Sequence, residues 1–221
     1  ARLARAAGGW LHVDAVQAAG KIAVDFSATG ADTMAIAAHK LGGPQGIGAL
    51  VAAPTARLTR RLHGGGQERG LRAGTENVPG IAGFGAAAEA AGLDLPSLAA
   101  QSAWRDALAI RVATLGAVVL GEGAPRLPQT LNFAAEGFGS ELQVMGLDLA
   151  GVMVSAGAAC SSGKVKASHA LEAMGRADLA PFAVRVSGGW DTTEADWVRC
   201  GEAWAELFAR HQARRRVAVE A

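Results

Sequence analysis

Tyrosine is absent from this 221-residue chain, and lysine is nearly so: of 21 Lys and Arg residues, only Lys21, Lys40, Lys164 and Lys166 are lysines. Arginine stays protonated and forms no imine, so each lysine marks a place where amine chemistry is available. Cysteine is equally scarce. Cys160 and Cys200 lie in unlike contexts, which argues against a disulfide framework and for a reducing compartment, hence a cytoplasmic protein. Neither sign of charge is in excess: the formal net charge is +1, which gives no case for nucleic acid or a membrane surface as partner. The terminal Arg214-Arg215-Arg216 run reads as a solvated helix end. No apolar run reaches the roughly 18 residues of a membrane span. What is present is a half-hydrophobic composition, enough for one large or two modest cores. The chain opens ARLARAAGGW, a helix tail feeding directly into a core strand, so an incomplete protein is expected.

Residues 10–14 and 32–38 read as buried strands, and 47–52 begins a further one. Residues 57–62 are helical or irregular. The stretch 62–77, LHGGGQERGLRAGTEN, has too much glycine for a helix and too much length for a turn, so a functional loop is expected. An Ala/Gly-rich helix follows from 81 to 92. A boundary falls at 93–97, and helix and strand then alternate: helix 98–115, strands 117–120 and 130–134, helix 140–149, strand 152–155, helix 167–174, strand 183–187, helix 193–211. The last begins Thr192-Thr193-Glu194-Ala195-Asp196, a hydroxyl cap followed by early acids.

Four segments carry chemistry. ADTMAIAAHK ends an apolar strand on Lys40, where a desolvated amine could lose its proton and attack a carbonyl; a strand-end lysine reaching for solvent is the alternative. WLHVDAVQAAGK places Asp14 at another strand end, with Gln17 three residues on; ligands bind at the carboxyl edge of such sheets. A lysine and an aspartate on two such ends suit pyridoxal phosphate, the lysine as Schiff base and the carboxylate keeping the pyridine nitrogen protonated; an ion pair without cofactor is the alternative. SAGAACSSGKVKASHAL surrounds Cys160 with small residues, two serines and two lysines. That setting favours thiolate, against an incidental exposed thiol. FAVRVSGGW puts Arg185 between strand apolars, where it needs an anion, either a ligand carboxylate or a structural partner. Cys200, at helical spacing from Trp197, Trp204 and Leu207, reads as core.

Taken in order, HVDAVQAAGK, AAHKLGGPQGIGAL, LHGGGQERGLRAGTEN and SAGAACSSG resemble cysteine desulfurases of the NifS/IscS type, in the class V aminotransferase group of fold-type I pyridoxal phosphate enzymes. The resemblance runs through nearly the whole chain. It implies an α/β fold: the carboxyl-side part of a large cofactor-binding domain at residues 1–92, then a smaller α/β (α+β) domain at 93–221 carrying the cysteine loop. It implies that Lys40 holds the cofactor, Asp14 pairs with its ring nitrogen, Gln17 meets the ring hydroxyl and His39 helps hold the phosphate. Thr75 would reach the phosphate of the other subunit in a homodimer. Arg185 would bind the carboxylate of L-cysteine. Cys160 would take the sulfur as a persulfide, releasing L-alanine, and pass it to an acceptor or iron–sulfur scaffold protein. Cys160 is also the one residue read as a transient iron–sulfur ligand, with no resident metal expected.

The family usually has a phosphate-binding serine where this chain has Ala37, a loss of one hydrogen bond to a charged group worth about 1.5–3 kcal/mol. The closing SGGWDTTEAD also departs from the family pattern, with no physical account. Family members extend further at the amino end, where a phosphate-binding turn, a ring-stacking histidine and an asparagine reside, so this chain alone is expected to hold the cofactor poorly and turn over little. Competing readings are another class V enzyme, a selenocysteine lyase or aminotransferase, and a non-catalytic sulfur-relay scaffold.

Overall fold

The structure, a computed structural model, describes residues 1–156 and 168–220. The chain divides into two compact units, Ala1–Pro96 and Ser97–Ala221.

The first unit opens with helix α1 (Arg2–Ala6) and is built on a three-stranded sheet. Strand β1 (His12–Asp14) runs parallel to β2 (Thr33–Ala37), and β2 is antiparallel to β3 (Gly48–Ala52). The crossover between β1 and β2 carries the short helix α2 (Phe26–Thr29). Asp25 Oδ1 accepts from Ala28 N at 3.1 Å to start it, and Gly30 stops it in the left-handed region at φ +63°. A parallel pair delivers both carboxyl ends to one edge of the sheet, and here Asp14 stands opposite Ala35.

The expectation of buried strands at 10–14 and 32–38 is corrected. His12 and Asp14 are exposed, and only Thr33 and Met34 of β2 are buried. Among the described residues β1 pairs with β2 alone, and the side chains of its two end residues, His12 and Asp14, keep contact with water. β2 also ends earlier than its apolar run, at Ala37, because Ala38–Lys40 coils into a 3-10 turn.

Helix α3 (Val78–Thr114) is continuous, where the sequence predicts two helices with a break at 93–97. Pro96 lies inside it and costs about 3 kcal/mol by removing a donor and crowding the preceding turn. Ala91 before it and Leu98 and Gln101 after it are all buried, and packing overrides the local breaker. The small residues also have a purpose. A Cβ on Gly83 would lie 2.8 Å from Pro44, Gly43 would meet Ala87 at 3.1 Å, and Gly20 would meet Ala91 at 3.1 Å. Residues 83, 87 and 91 are spaced four apart, so they line one helix face along the 41–44 turn.

The second unit is a four-stranded antiparallel sheet in the order β4 (Val118–Leu120), β5 (Thr130–Ala134), β7 (Ala183–Ser187), β6 (Ser155–Ala156). Leu131, Phe133, Val184 and Val186 point to a core closed by Leu108, Ala109 and Val112 of α3. Trp197, Cys200, Trp204 and Phe208 of helix α6 (Glu194–Glu220) close its other side. Trp204 meets Phe133 edge-on at 5.2 Å between ring centroids. Helix α4 (Ser140–Leu149) adds the fully buried Gln143, whose Nε2 donates to Phe138 O at 2.7 Å and Phe182 O at 2.8 Å. Its Oε1 accepts from Trp204 Nε1 at 2.8 Å. Both N–H donors and the oxygen of that amide are thus partnered, as burial requires.

The strand expected at 152–155 shortens to Ser155–Ala156. Val152 N instead donates to Leu147 O at 2.8 Å, so the valine run closes the end of α4. Helix α5 (His169–Ala173) begins on a Ser168 cap, and a 3-10 segment Ala177–Phe182 follows. At the start of α6, Thr193 N and Oγ1 both donate to Asp196 Oδ2, at 2.9 and 2.8 Å. This pair of bonds holds the Asp196 carboxyl below its ordinary range, first through the backbone hydrogen bond. Among the described residues no helix is long and apolar enough to cross a membrane.

Candidate active site

The carboxyl edge of the β1/β2 pair gathers the first unit's chemistry. Ala38 is fully buried, and its N–H donates to Ile47 O at 3.1 Å while its carbonyl accepts from Leu41 N and Gly43 N, both at 2.9 Å. That anchored residue starts the 3-10 turn, and His39 and Lys40 project outward from it, both exposed. Asp14, also exposed, ends the adjacent strand, and neighbouring strands lie about 4.8 Å apart. Its Oδ1 accepts from Val16 N at 2.9 Å, an Asx turn that fixes the carboxylate's direction. Gln17 is exposed one step further on.

Lys40 was expected to be desolvated by an apolar setting; this is corrected, because its side chain is exposed. The perturbed amine is that of Lys21, half-buried, whose Nζ donates to Lys40 O at 3.2 Å. Burial, and secondarily the charge of Lys40, hold it below the ordinary lysine value. The sequence reading did not single out Lys21, although the scarcity of lysine was the signal that could have found it.

The glycine-rich stretch is an exposed loop with one 3-10 turn at Glu68–Gly70. Arg60 folds its start: Nε donates to Leu62 O at 3.0 Å, and Nη2 to Gly64 O and Gly65 O at 2.6 and 2.8 Å. Gln67 Oε1 accepts from Gly74 N at 3.2 Å. Glu68 and Arg69 sit at φ +49° and +55°, a left-handed conformation costly for side-chain-bearing residues. Thr75 is exposed on this loop. Arg60 lies upstream of the motif and was not singled out.

In the second unit Arg185 lies on β7 between Asn132 of β5 and Ser155 of β6. Its Nη2 donates to Ser155 Oγ at 3.3 Å. Cys160 lies outside the described residues. Cys200 is core, as expected, and burial pushes its thiol up to about 11, which removes it as a nucleophile near neutral pH.

A pyridine aldehyde phosphate needs an amine to condense with, a carboxylate for its ring nitrogen, and neutral donors for its hydroxyl and phosphate. Lys40, Asp14, Gln17 and His39 supply that set from one sheet edge, so the residues fit. Ala37, the last residue of β2, brings no hydroxyl.

A family model described as Aminotransferase class-V matches residues 1–197. A cysteine desulfurase of Frankia sp. (strain EuIK1) is 44% identical over 219 residues, covering 94% of this chain and 50% of that protein. One from Bradyrhizobium diazoefficiens is 44% identical over 172 residues, 77% of this chain and 44% of that protein. The X-ray structure of a NifS-like protein from Rickettsia africae ESF-5 superposes with a TM-score of 0.81 at 28% identity, covering 94% of this chain and 56% of that one. The chain spans about half the length of the curated relatives it matches. The expected α/β fold of the fold-type I kind is borne out by that structural likeness. With the family match extending over most of its residues and the four motif segments in order, the chain belongs to the aminotransferase class-V family.

Proposed function

We propose that this chain carries the cofactor-holding lysine, Lys40, and the sulfur-accepting thiol, Cys160, of a pyridoxal phosphate-dependent cysteine desulfurase. The observation that carries it is the parallel β1/β2 pair, which brings Asp14 and Lys40 to one sheet edge. Relatives named cysteine desulfurase at 44% identity support the choice of reaction.

When bound, pyridoxal phosphate supplies an electron sink for charge developing at the substrate's α-carbon. Lys40 Nζ takes the α-proton and returns it as general base and acid, a role worth typically about 10²–10⁴-fold. Asp14 keeps a proton on the ring nitrogen, Gln17 donates to the ring hydroxyl, and His39 steadies the phosphate. Thr75 reaches the phosphate held by the second subunit of a homodimer. Arg185 receives the carboxylate of L-cysteine. The Cys160 thiolate attacks the substrate sulfur; the carbon–sulfur bond breaks and a sulfur–sulfur bond forms. L-Cysteine plus one thiol thus yields L-alanine plus one persulfide, with no oxidant consumed. The persulfide then passes to an acceptor in the cytoplasm, such as an iron–sulfur assembly protein, and the two lysines flanking the thiol, Lys164 and Lys166, favour its ionised form. Residues 1–92 form part of the cofactor domain and 93–221 the domain that carries the sulfur.

Sulfide release from L-cysteine in the presence of a reductant tests this. Cys160→Ser loses the protein-bound persulfide while Lys40 still captures the cofactor. Sulfide release undiminished in that variant contradicts the proposal.

A further inference from the structure

One face of the second unit's sheet is apolar and covered by α3 and α6; the other carries a polar row. Leu131, Phe133, Val184 and Val186 belong to the covered core, so by strand alternation Asn132 and Arg185 point to the opposite face. The register places Asn132 of β5, Arg185 of β7 and Ser155 of β6 side by side, and directly opposed pairs have Cβ atoms about 4.5–5.5 Å apart. Two residues along, Thr130 opposes Ser187 and continues the polar surface. In the other direction Ala134 and Ala183 join Leu120, Leu171 and Leu179 in an apolar cluster that closes the row.

Two hydrogen-bonding capacities in this row are unspent. Among the described residues Arg185 gives one bond, to Ser155, out of five available donors, and it pairs with no carboxylate. Residues 157–167 contain no acid at all. Asn132 Oδ1 is buried and has no partner among the described residues, a costly state for an amide oxygen. A carboxamide turns by 180° at little cost, exchanging its oxygen and its NH₂. A small carboxylate set against Arg185 therefore meets an amide that donates to it through Nδ2 and turns its oxygen toward the guanidinium.

We propose that Asn132 is a second substrate-contacting residue: with Arg185 it grips the α-carboxylate of a small amino acid, and Ser155 holds the guanidinium in line. That the amino acid is cysteine rests on the desulfurase proposal; the carboxylate grip does not. Asn132 thereby selects α-amino acids over amines of equal size.

The test follows the Arg185 Nε–H resonance of the purified protein by NMR while L-alanine, or ethylamine as its carboxylate-free counterpart, is added. L-Alanine produces a saturating shift and ethylamine none. Asn132→Leu, of similar volume, weakens L-alanine about tenfold or more, the worth of a hydrogen bond to a charged group. Asn132→Asp, nearly isosteric, pairs internally with Arg185 and removes L-alanine binding at pH 7. Wild-type affinity in both variants, or an Arg185 signal indifferent to L-alanine in the wild type, overturns the inference. L-Alanine binding with these effects, together with sulfide release undiminished in Cys160→Ser, sinks the desulfurase proposal alone. Sulfide release with unaltered variants sinks this inference alone.

Discussion

Two lysines meet at the Ala38–Lys40 turn, and the amine whose proton affinity is displaced is the one the sequence did not select. Lys21 sits half-buried with its Nζ on the carbonyl of Lys40, and burial plus the neighbouring charge lower its proton affinity. Replacing Lys40 by Ala removes the second cause, so the Lys21 amine is expected to titrate at higher pH; direct ¹⁵N observation of its Nζ checks this. Because its folded value lies below its unfolded one, the unfolded chain binds more protons between the two, and this group raises stability as pH rises through that window. The two thiols divide in the opposite sense. Cys200 is buried and raised from 9.0 to about 11, so its contribution to stability falls as pH climbs from about 9 toward 11, where only the unfolded thiol ionises. At pH 8 a thiol reagent is expected to label Cys160 and leave Cys200 untouched until the protein is denatured. Equal labelling of both in the native protein would refute the assignment of Cys200 to the core.

At the scale of the elements, the best-read segments were those whose pattern and boundaries agree. β5, β7 and α4 have the bounds that alternation and helical spacing indicate. The misreadings share a cause: local rules that tertiary packing overrules. Pro96 marks a break in sequence, yet buried residues on both sides hold α3 together. Val152 and Val154 look like a strand, yet one closes a helix and both pack against the core. The Arg60 contacts that fold the glycine-rich loop join residues too irregular for periodicity to reveal. Gln143 was likewise invisible, since a lone glutamine on a helix reads as surface, and it carries the clearest energetic prediction here. Gln143→Leu leaves two carbonyls and the Trp204 N–H without partners. At roughly 1–3 kcal/mol for each buried unpaired group, the loss should be about 3 kcal/mol or more, read as a lowered urea midpoint with unchanged slope. A loss under about 1 kcal/mol would show that water reaches these groups.

For the whole molecule, the motifs say more about which residues share a sheet edge than about how exposed those residues are. Lys40, Asp14, Gln17 and His39 come to one sheet edge because a parallel pair has one carboxyl edge, a consequence of topology that the strand-end motifs imply. Their exposure was not legible: an apolar run announces burial only where the sheet face it lies on is covered, and His12, Asp14, His39 and Lys40 are exposed. The chain also spans about half of its curated relatives, so the motifs report on a surface whose full setting a single sequence does not display. Family membership rests on the ordered segments and not on any strand or helix boundary.

Lys21 is the internal competitor that makes the decisive measurement sharp. The intact protein is saturated with pyridoxal phosphate, reduced with borohydride and mapped by peptide mass spectrometry. The cofactor mass is expected on the peptide carrying Lys40, with Lys21, Lys164 and Lys166 unmodified. Label on Lys21 in its place, or none on Lys40, would contradict the assignment of this sheet edge as the cofactor site.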